Sequence, residues 1–575
     1  MIVMKKLNSN SKFRVETIGI LSIIIVFIVA FIETQKGIPM IGDTKFHMWR
    51  VYEIREAFRM HQLPLWLNFS SFHSTGQAIN GMYPDITLWP LVLITNNLRF
   101  IDQLVAMKLL IMISTFFVTY ISLANHNLKK EDSFYAAILY TFSGYSLYQY
   151  LYEFQPGAII IYIFTFPLIF AIDEALYAKR LDKFLIVKLS LLFGIIMYSH
   201  LLTAVVVAFI VILLWILKSF FEQEINYLSI LILIYSGLLT LVYSLPILYR
   251  IYIISRSSIA PPFGKGNVGS ENLIDIFNNP QVYSRTSLSC IALTLFIISL
   301  YFWNKNIKVK KLLIAELVII VLCTNLIPWV ILEKLPLINM FQYTPWRFGI
   351  YLSALPVLAF LYVEIKNKYK ILYILSLLTL VAIPETLKQD NQMFQTYKPQ
   401  FLTYRNIKND RPTYKFDLLV RDYLPFQAVG TSTENKVSKV IKKQVNGEKI
   451  TTIKGDGERI SSKLHKVVLS NTGINFYNKS RISGEGYILP VYYYPSLKYE
   501  IYIQNKAVNN FHQSSNGFLQ LVTNHTLEKN TKITIKYKNP KLYIILIIFS
   551  LTIYVIISIY FFVNTRFIKF NTVRK

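Results

Sequence analysis

Apolar stretches of about twenty residues recur along this chain, and no other feature limits its fold as strongly. A run of that length crosses the roughly 30 Å hydrocarbon core of a bilayer as one α-helix. The stretches fall at 17–33, 104–123, 134–151, 158–176, 184–199, 201–220, 227–253, 286–303, 311–331, 348–365, 369–385 and 541–563. The chain of 575 residues is 54% hydrophobic and only 16% charged, with a mean hydropathy of +0.41. These features point to a polytopic α-helical membrane protein and away from a soluble one. Cys290 and Cys323 both lie inside apolar runs, which argues against a disulfide framework or a cysteine metal site.

Basic residues orient the runs. Lys129-Lys130, Lys179-Arg180, Lys305 to Lys311, Lys366 to Lys370 and the tail Arg566 to Lys575 punctuate them. The positive-inside rule places each group in the cytoplasm. Lys5, Lys6, Lys12 and Arg14 precede Ile18–Ile32 without a small-residue cleavage site after it, so the start reads as an uncleaved anchor with its N-terminus inside. Twelve crossings satisfy all of these marks and leave 34–103, 254–285 and 386–540 outside, with both termini cytoplasmic. The run Ile86–Thr95 is short and holds Pro90. It reads as a re-entrant or interfacial segment. A thirteenth crossing there would move Lys129-Lys130 outside.

Residues 386–540 differ in kind. They are polar and carry turn signals at Asn446-Gly447 and Gly455-Asp456-Gly457. Strand-like runs occur at Lys463–Ser470, Gly486–Tyr494, Tyr499–Gln504, Gly517–Thr523 and Thr531–Tyr537. The expected organisation is a transmembrane module over 1–385 with an external loop 34–103, then an extracellular β-sandwich-like domain over 386–540. A final helix and basic tail over 541–575 complete it. The external domain holds 24 Lys and Arg against 11 Asp and Glu. Such an excess would attract an anionic cell-envelope polymer, although a solvated Lys-rich surface would look the same.

Candidate chemistry gathers outside. In Gly42-Asp43-Thr44-Lys45-Phe46-His47-Met48-Trp49-Arg50, a helix starting at Asp43 would align Asp43, His47 and Arg50 on one stripe. Residues 44–60 read as an amphipathic helix lying at the interface. Asp43 can be its cap or a general base that takes a hydroxyl proton. Arg50 or Lys45 can hold a lipid phosphate or snorkel to headgroups. Tyr83, in Gly81-Met82-Tyr83-Pro84-Asp85, together with Glu153 and His200, falls on the same side. Ionisable groups near membrane depth are functional candidates because keeping them there is costly. Gln342, Trp346 and Arg347 head another span, either as an aromatic-belt anchor or as a second phosphate contact. Phosphate-loop, dinucleotide and His-Glu-x-x-His motifs do not occur. An activated group would therefore come from a lipid carrier; no cofactor or nucleic acid is expected, and no metal ligands stand out, which leaves a divalent-metal requirement open.

The plan resembles the polytopic GT-C glycosyltransferases, and more closely the bacterial YfhO family, linked to glycosylation of lipoteichoic acid. Gly-Asp-x-x-x-His-x-x-Arg at 42–50, Leu65-Trp66 and Tyr83-Pro84 carry the resemblance, with Phe341 to Arg347 and Ile488 to Pro495. Thr344 interrupts the Gln-aromatic-Pro spacing, and Asp85 stands where a second Pro is common. The resemblance implies a polyprenyl-phosphate sugar as co-substrate in a bacterial plasma membrane. It makes Asp43 the catalytic carboxylate and places Arg50 and Arg347 near the donor phosphate. His47 and Glu153 are supporting catalytic candidates. A transporter or flippase of lipid-linked intermediates, or a non-catalytic scaffold, would share the architecture.

Overall fold

A computed structural model describes residues 9–262, 268–278, 288–397, 399–413, 418, 420–429, 449–454, 457–469 and 472–573. The chain is mostly helical with a strand-rich C-terminal region. Among the described residues, four helices are long and apolar enough to cross a membrane: Lys12–Lys36, Phe100–Asn125, Leu201–Glu222 and Lys541–Phe561. Two bent pairs, Pro156–Ile163 with Thr165–Leu176 (57°) and Tyr227–Tyr243 with Leu245–Ser255 (67°), raise this to six if each is one span. The other expected crossings coincide with Lys130–Thr141, Lys183–Ser199, Cys290–Tyr301, Ile307–Leu322, Thr344–Leu361 and Lys368–Tyr397, which are not among those four. The run 134–151 is broken: a helix Lys130–Thr141 ends at Phe142, and Gly144–Leu147 and a π turn at Tyr148–Tyr152 follow. The helix at Leu88–Thr95 has 8 residues, about 12 Å of rise, too little for a crossing.

The chain forms two compact units. The first comprises residues 1–44, 101–240 and 267–404. Its central helix, Thr344–Leu361, is buried at every position from Phe348 to Leu361, which its all-round apolar sequence allows. It packs against Ile307–Leu322, Cys290–Tyr301 and Lys130–Thr141. The first helix, α1 (Ser9–Lys36), packs against Lys368–Tyr397 and Lys130–Thr141.

The second unit comprises residues 45–100, 241–266 and 405–575, so the unit that holds the strands also takes in two loop segments and the last helix. Nine strands run β1 (Lys449–Lys454), β2 (Gly457–Leu469), β3 (Gly473–Asn478), β4 (Gly486–Tyr492), β5 (Tyr499–Ile503), β6 (Lys506–Ala507), β7 (Phe511–Gln513), β8 (Phe518–Val522) and β9 (Lys532–Tyr537). They join antiparallel in the order β6-β5-β9-β3-β2-β1-β4-β8-β7. The long β2 pairs with β1 along its first half and with β3 along its second. Every residue of β4 is buried. Its Pro490 falls where the register with β8 shifts between Phe518 and Leu519, a bulge that tolerates a residue without an N–H.

Helix α2 (Thr44–Arg59) contains no Gly or Pro. It ends with His61 in the left-handed region, Gln62 N–H bonding Ala57 O (2.9 Å) and His61 N–H bonding Phe58 O (3.0 Å), a Schellman stop. The expectation of a surface amphipathic helix is corrected: most of α2 is buried, Arg50 and Arg55 completely. Partners far along the chain make this possible. Arg55 pairs with Asp410 and donates to Leu98 O at 2.8 Å, and Arg59 reaches Asp410 at 2.8 Å. Glu53, also buried, accepts from Phe69 N–H (3.0 Å), Ser70 N–H (3.1 Å) and Ser71 Oγ (2.6 Å). It anchors a turn in which Phe72, His73 and Ser74 all have positive φ, a conformation that costs energy in each residue. The turn's other side bonds the strand region: Lys466 Nζ donates to His73 O (2.7 Å) and Tyr492 N–H to Thr75 O (2.8 Å).

Burial pushes Glu53 up to about 7 from 4.5, against the pull of those hydrogen bonds and of Arg411. The folded chain then keeps a proton that the unfolded chain releases, so stability falls as pH rises through that window. A gap of this size predicts a loss of about 3 kcal/mol between pH 4.5 and 7. Thermal melts of the full chain across this range should show the decline, and Glu53→Gln should flatten it.

Candidate functional site

Asp43 and Glu153, 110 residues apart, meet in the first unit. Glu153 is delivered by the π turn Tyr148–Tyr152, whose i to i+5 pattern is completed by Glu153 N–H on Tyr148 O (3.0 Å). Such single π turns often mark functional positions. Glu153 Oε1 accepts the Asp43 backbone N–H at 2.9 Å, and Glu153 Oε2 lies 3.3 Å from the Tyr148 hydroxyl that donates to it. Gln155 Nε2 donates to Asp43 Oδ2 (3.1 Å) and to Glu153 Oε1 (2.9 Å). One neutral amide thus bridges two carboxylates that would otherwise repel each other. Phe154 N–H bonds Thr44 Oγ1 at 3.0 Å and extends the seam.

Glycines allow the approach. Gly42 has φ +49, and a Cβ there would overlap the Glu153 carboxyl. The Gly42-Asp43 pair therefore has a steric reason as well as a chemical one. On the far side, a Cβ at Gly157 would come within 2.5 Å of Ser199 O, so segment 153–157 lies between the Asp43 turn and the His200 region. His200 caps the helix Leu201–Glu222. Its Nδ1 is 2.9 Å from Thr203 Oγ1 and accepts Thr203 N–H at 3.3 Å. That is a structural use of the ring, and His200 is buried.

Exposure separates the two acids. Glu153 is buried and Asp43 is half-buried. The geometry makes Glu153 a holder of the Asp43 backbone, with Asp43 the less buried of the two acids. Behind Phe154 stands an ion pair that the sequence reading missed. Lys108 of Phe100–Asn125 pairs with Glu33 of α1, both buried, and its Nζ lies 5.2 Å from the Phe154 ring centroid. Lys108 sits in an apolar run that reads as an ordinary span. Its signal was a lone charge within that run.

The remaining candidates form other groups. The unit boundary falls at the first turn of α2, leaving Asp43 in the first unit and Lys45, His47, Arg50 and Tyr83 in the second. Arg50 NH1 is 3.1 Å from His47 Nδ1, NH2 donates to Pro84 O, and the guanidinium lies 4.3 Å from the Tyr83 ring centroid. Burial lowers Arg50 to about 10, which still leaves it charged at neutral pH. These bonds fix the Tyr83-Pro84-Asp85 turn from one side. Arg250, absent from the sequence candidates, fixes it from the other through Asp85 Oδ1 (2.8 Å) and Tyr83 O (2.9 Å). Lys45 is half-buried. In the first unit Arg347 donates to Phe341 O (3.0 Å) and Gln342 Oε1 (2.6 Å), and Trp346 O accepts from Tyr145 Oη at 2.7 Å. Arg347 remains partly exposed and Trp346 exposed. Among the described residues no group of three or more His, Cys, Asp or Glu side chains could hold a metal ion.

The Gly42 contact yields a double-variant test. Gly42→Ala should cost about 2 kcal/mol from the left-handed backbone and the overlap with Glu153. In a Glu153→Ala background its cost should shrink by about 1 kcal/mol, read by chemical denaturation of the full chain in detergent.

No family model, curated protein or solved structure matches this chain.

Proposed function

We propose that the protein is a membrane glycosyltransferase that moves a sugar from a polyprenyl-phosphate donor to an extracellular acceptor, a teichoic or lipoteichoic acid or wall polysaccharide. The observation that carries this reading is the part-buried Asp43 carboxylate, held by Gln155 Nε2 while buried Glu153 grips its backbone. A base so fixed suits single displacement at an anomeric carbon. The acceptor oxygen bonds that carbon as its proton passes to Asp43, and the bond to the phosphate oxygen breaks with its electron pair leaving on the phosphate. A phosphate needs little protonation to leave, so positioning and nearby charge suffice. Arg347, partly exposed in the same unit, is the candidate for the donor phosphate. Arg50 is less suited because it is enclosed.

In this reading the chain crosses a bacterial plasma membrane twelve times with both termini cytoplasmic. The strand-rich region lies outside, where its basic excess would dock an anionic polymer. A second reading, a carrier of lipid-linked intermediates, draws on a different observation. Glu33, Lys108 and Glu316 place ionisable groups inside helices, as carriers require.

Asp43→Asn should reduce sugar incorporation into envelope polymers about a thousandfold, with expression and insertion unchanged. Glu153→Gln should reduce it less. Undiminished incorporation in Asp43→Asn would remove Asp43 as the base.

A further inference from the structure

A cavity of about 350 Å³ lies in the first unit between the helices Leu201–Glu222 and Ile307–Leu322. Leu213, Leu217 and Phe221 line it from the first helix, and Ile314, Val318 and Val321 from the second. Those spacings of three and four set each trio on one face of its helix. Every lining residue is apolar. From Ile314 to Leu322 the wall rises about 12 Å, close to half the roughly 30 Å hydrocarbon thickness of a bilayer.

One end of the cavity is charged. Lys218, one turn before Phe221, and Lys311, one turn before Ile314, both lie against the Tyr177 ring, at 4.9 and 3.3 Å from its centroid. The two walls thus bring their ammonium groups together at the same end. Lys218 also pairs with Glu222 at 2.9 Å. Lys311 is half-buried and, among the described residues, has no carboxylate within 4 Å. Asp173 acts on it only from farther away. Lys308 adds a further charge one turn earlier, 4.7 Å from the Tyr362 ring centroid. The first turn of Ile307–Leu322 contains no acid, so these lysines stand where the helix dipole is itself positive. An apolar slot one leaflet deep, with unbalanced positive charge at its mouth, is complementary to a lipid with an anionic headgroup.

We propose that this cavity holds one acyl chain of an anionic phospholipid whose phosphate sits at Lys311, with Lys218 and Lys308 supplying further charge. The depth suits an acyl chain, and a long polyprenyl chain would overrun it. This goes beyond the glycosyltransferase reading and does not depend on it.

Native mass spectrometry of the full chain in detergent tests it, with palmitoyl-oleoyl phosphatidylglycerol and the phosphatidylcholine of the same chains as probes. The native chain should retain one phosphatidylglycerol about tenfold more strongly than phosphatidylcholine. Lys311→Gln should abolish that preference. Lys310→Gln removes the same charge about 100° round the helix and should leave it intact. Val318→Trp and Leu217→Trp fill the cavity from opposite walls, and each should weaken retention of both lipids without lowering the melting temperature. Equal retention of the two lipids by the native chain overturns the proposal, as does a preference that survives Lys311→Gln. A lipid-free dimer that Val318→Trp dissociates also overturns it, because the cavity would then belong to a second copy.

Discussion

Glu153 holds together two stretches of chain that lie far apart in sequence, and the candidate site rests on that grip. Its carboxylate accepts the Asp43 N–H and the Gln155 amide, while Gly42 keeps clear the space the carboxylate fills. Remove the acid and the Asp43 turn loses a charge-assisted bond, a class stronger than neutral hydrogen bonds. The amide of Gln155 has two hydrogens, one for each carboxylate. Gln155 starts the helix Pro156–Ile163, with Ile159 N–H on its carbonyl at 3.0 Å. The donor that orders both acids is thereby fixed by a backbone element.

The second unit solves a related problem with the opposite charge. Arg50, Arg55 and Arg250 are buried, and each is met by carbonyls or carboxylates from distant segments. Breaking one side of such a pair leaves an uncompensated charge, which is why these contacts act as registration points between segments. Glu53 does the same for a strained turn that would not hold its three left-handed residues unaided.

Much of the fold was legible from local pattern. The strand readings at Gly486–Tyr494, Tyr499–Gln504 and Thr531–Tyr537 lie within a residue or two of β4, β5 and β9, because alternation and turn residues are local signals. Four of the twelve expected spans were legible as long apolar helices for the same reason, six if each bent pair is one span. Asp43 and Glu153 were each nominated, but their contact was not, since pairing across 110 residues leaves no trace in one sequence. Gln155 gave no signal because an amide between two acids looks like any loop residue. The misreading of α2 has a clear cause. Its interleaved Lys and Arg mimic a solvated face, and only Asp410 and the Pro84 and Leu98 carbonyls reveal that those charges point inward.

The central claim is that the Asp43 turn is seated on segment 153–155. Cysteine pairing tests it most directly. In a background with Cys290→Ser and Cys323→Ser, Gly42→Cys and Glu153→Cys should form a disulfide in the intact membrane on mild oxidation, detected by mass mapping, because a Cβ on residue 42 lies 3.2 Å from the Glu153 Cγ position. Neither single variant should form an internal crosslink. An inserted double variant that stays reduced under those conditions would contradict the account.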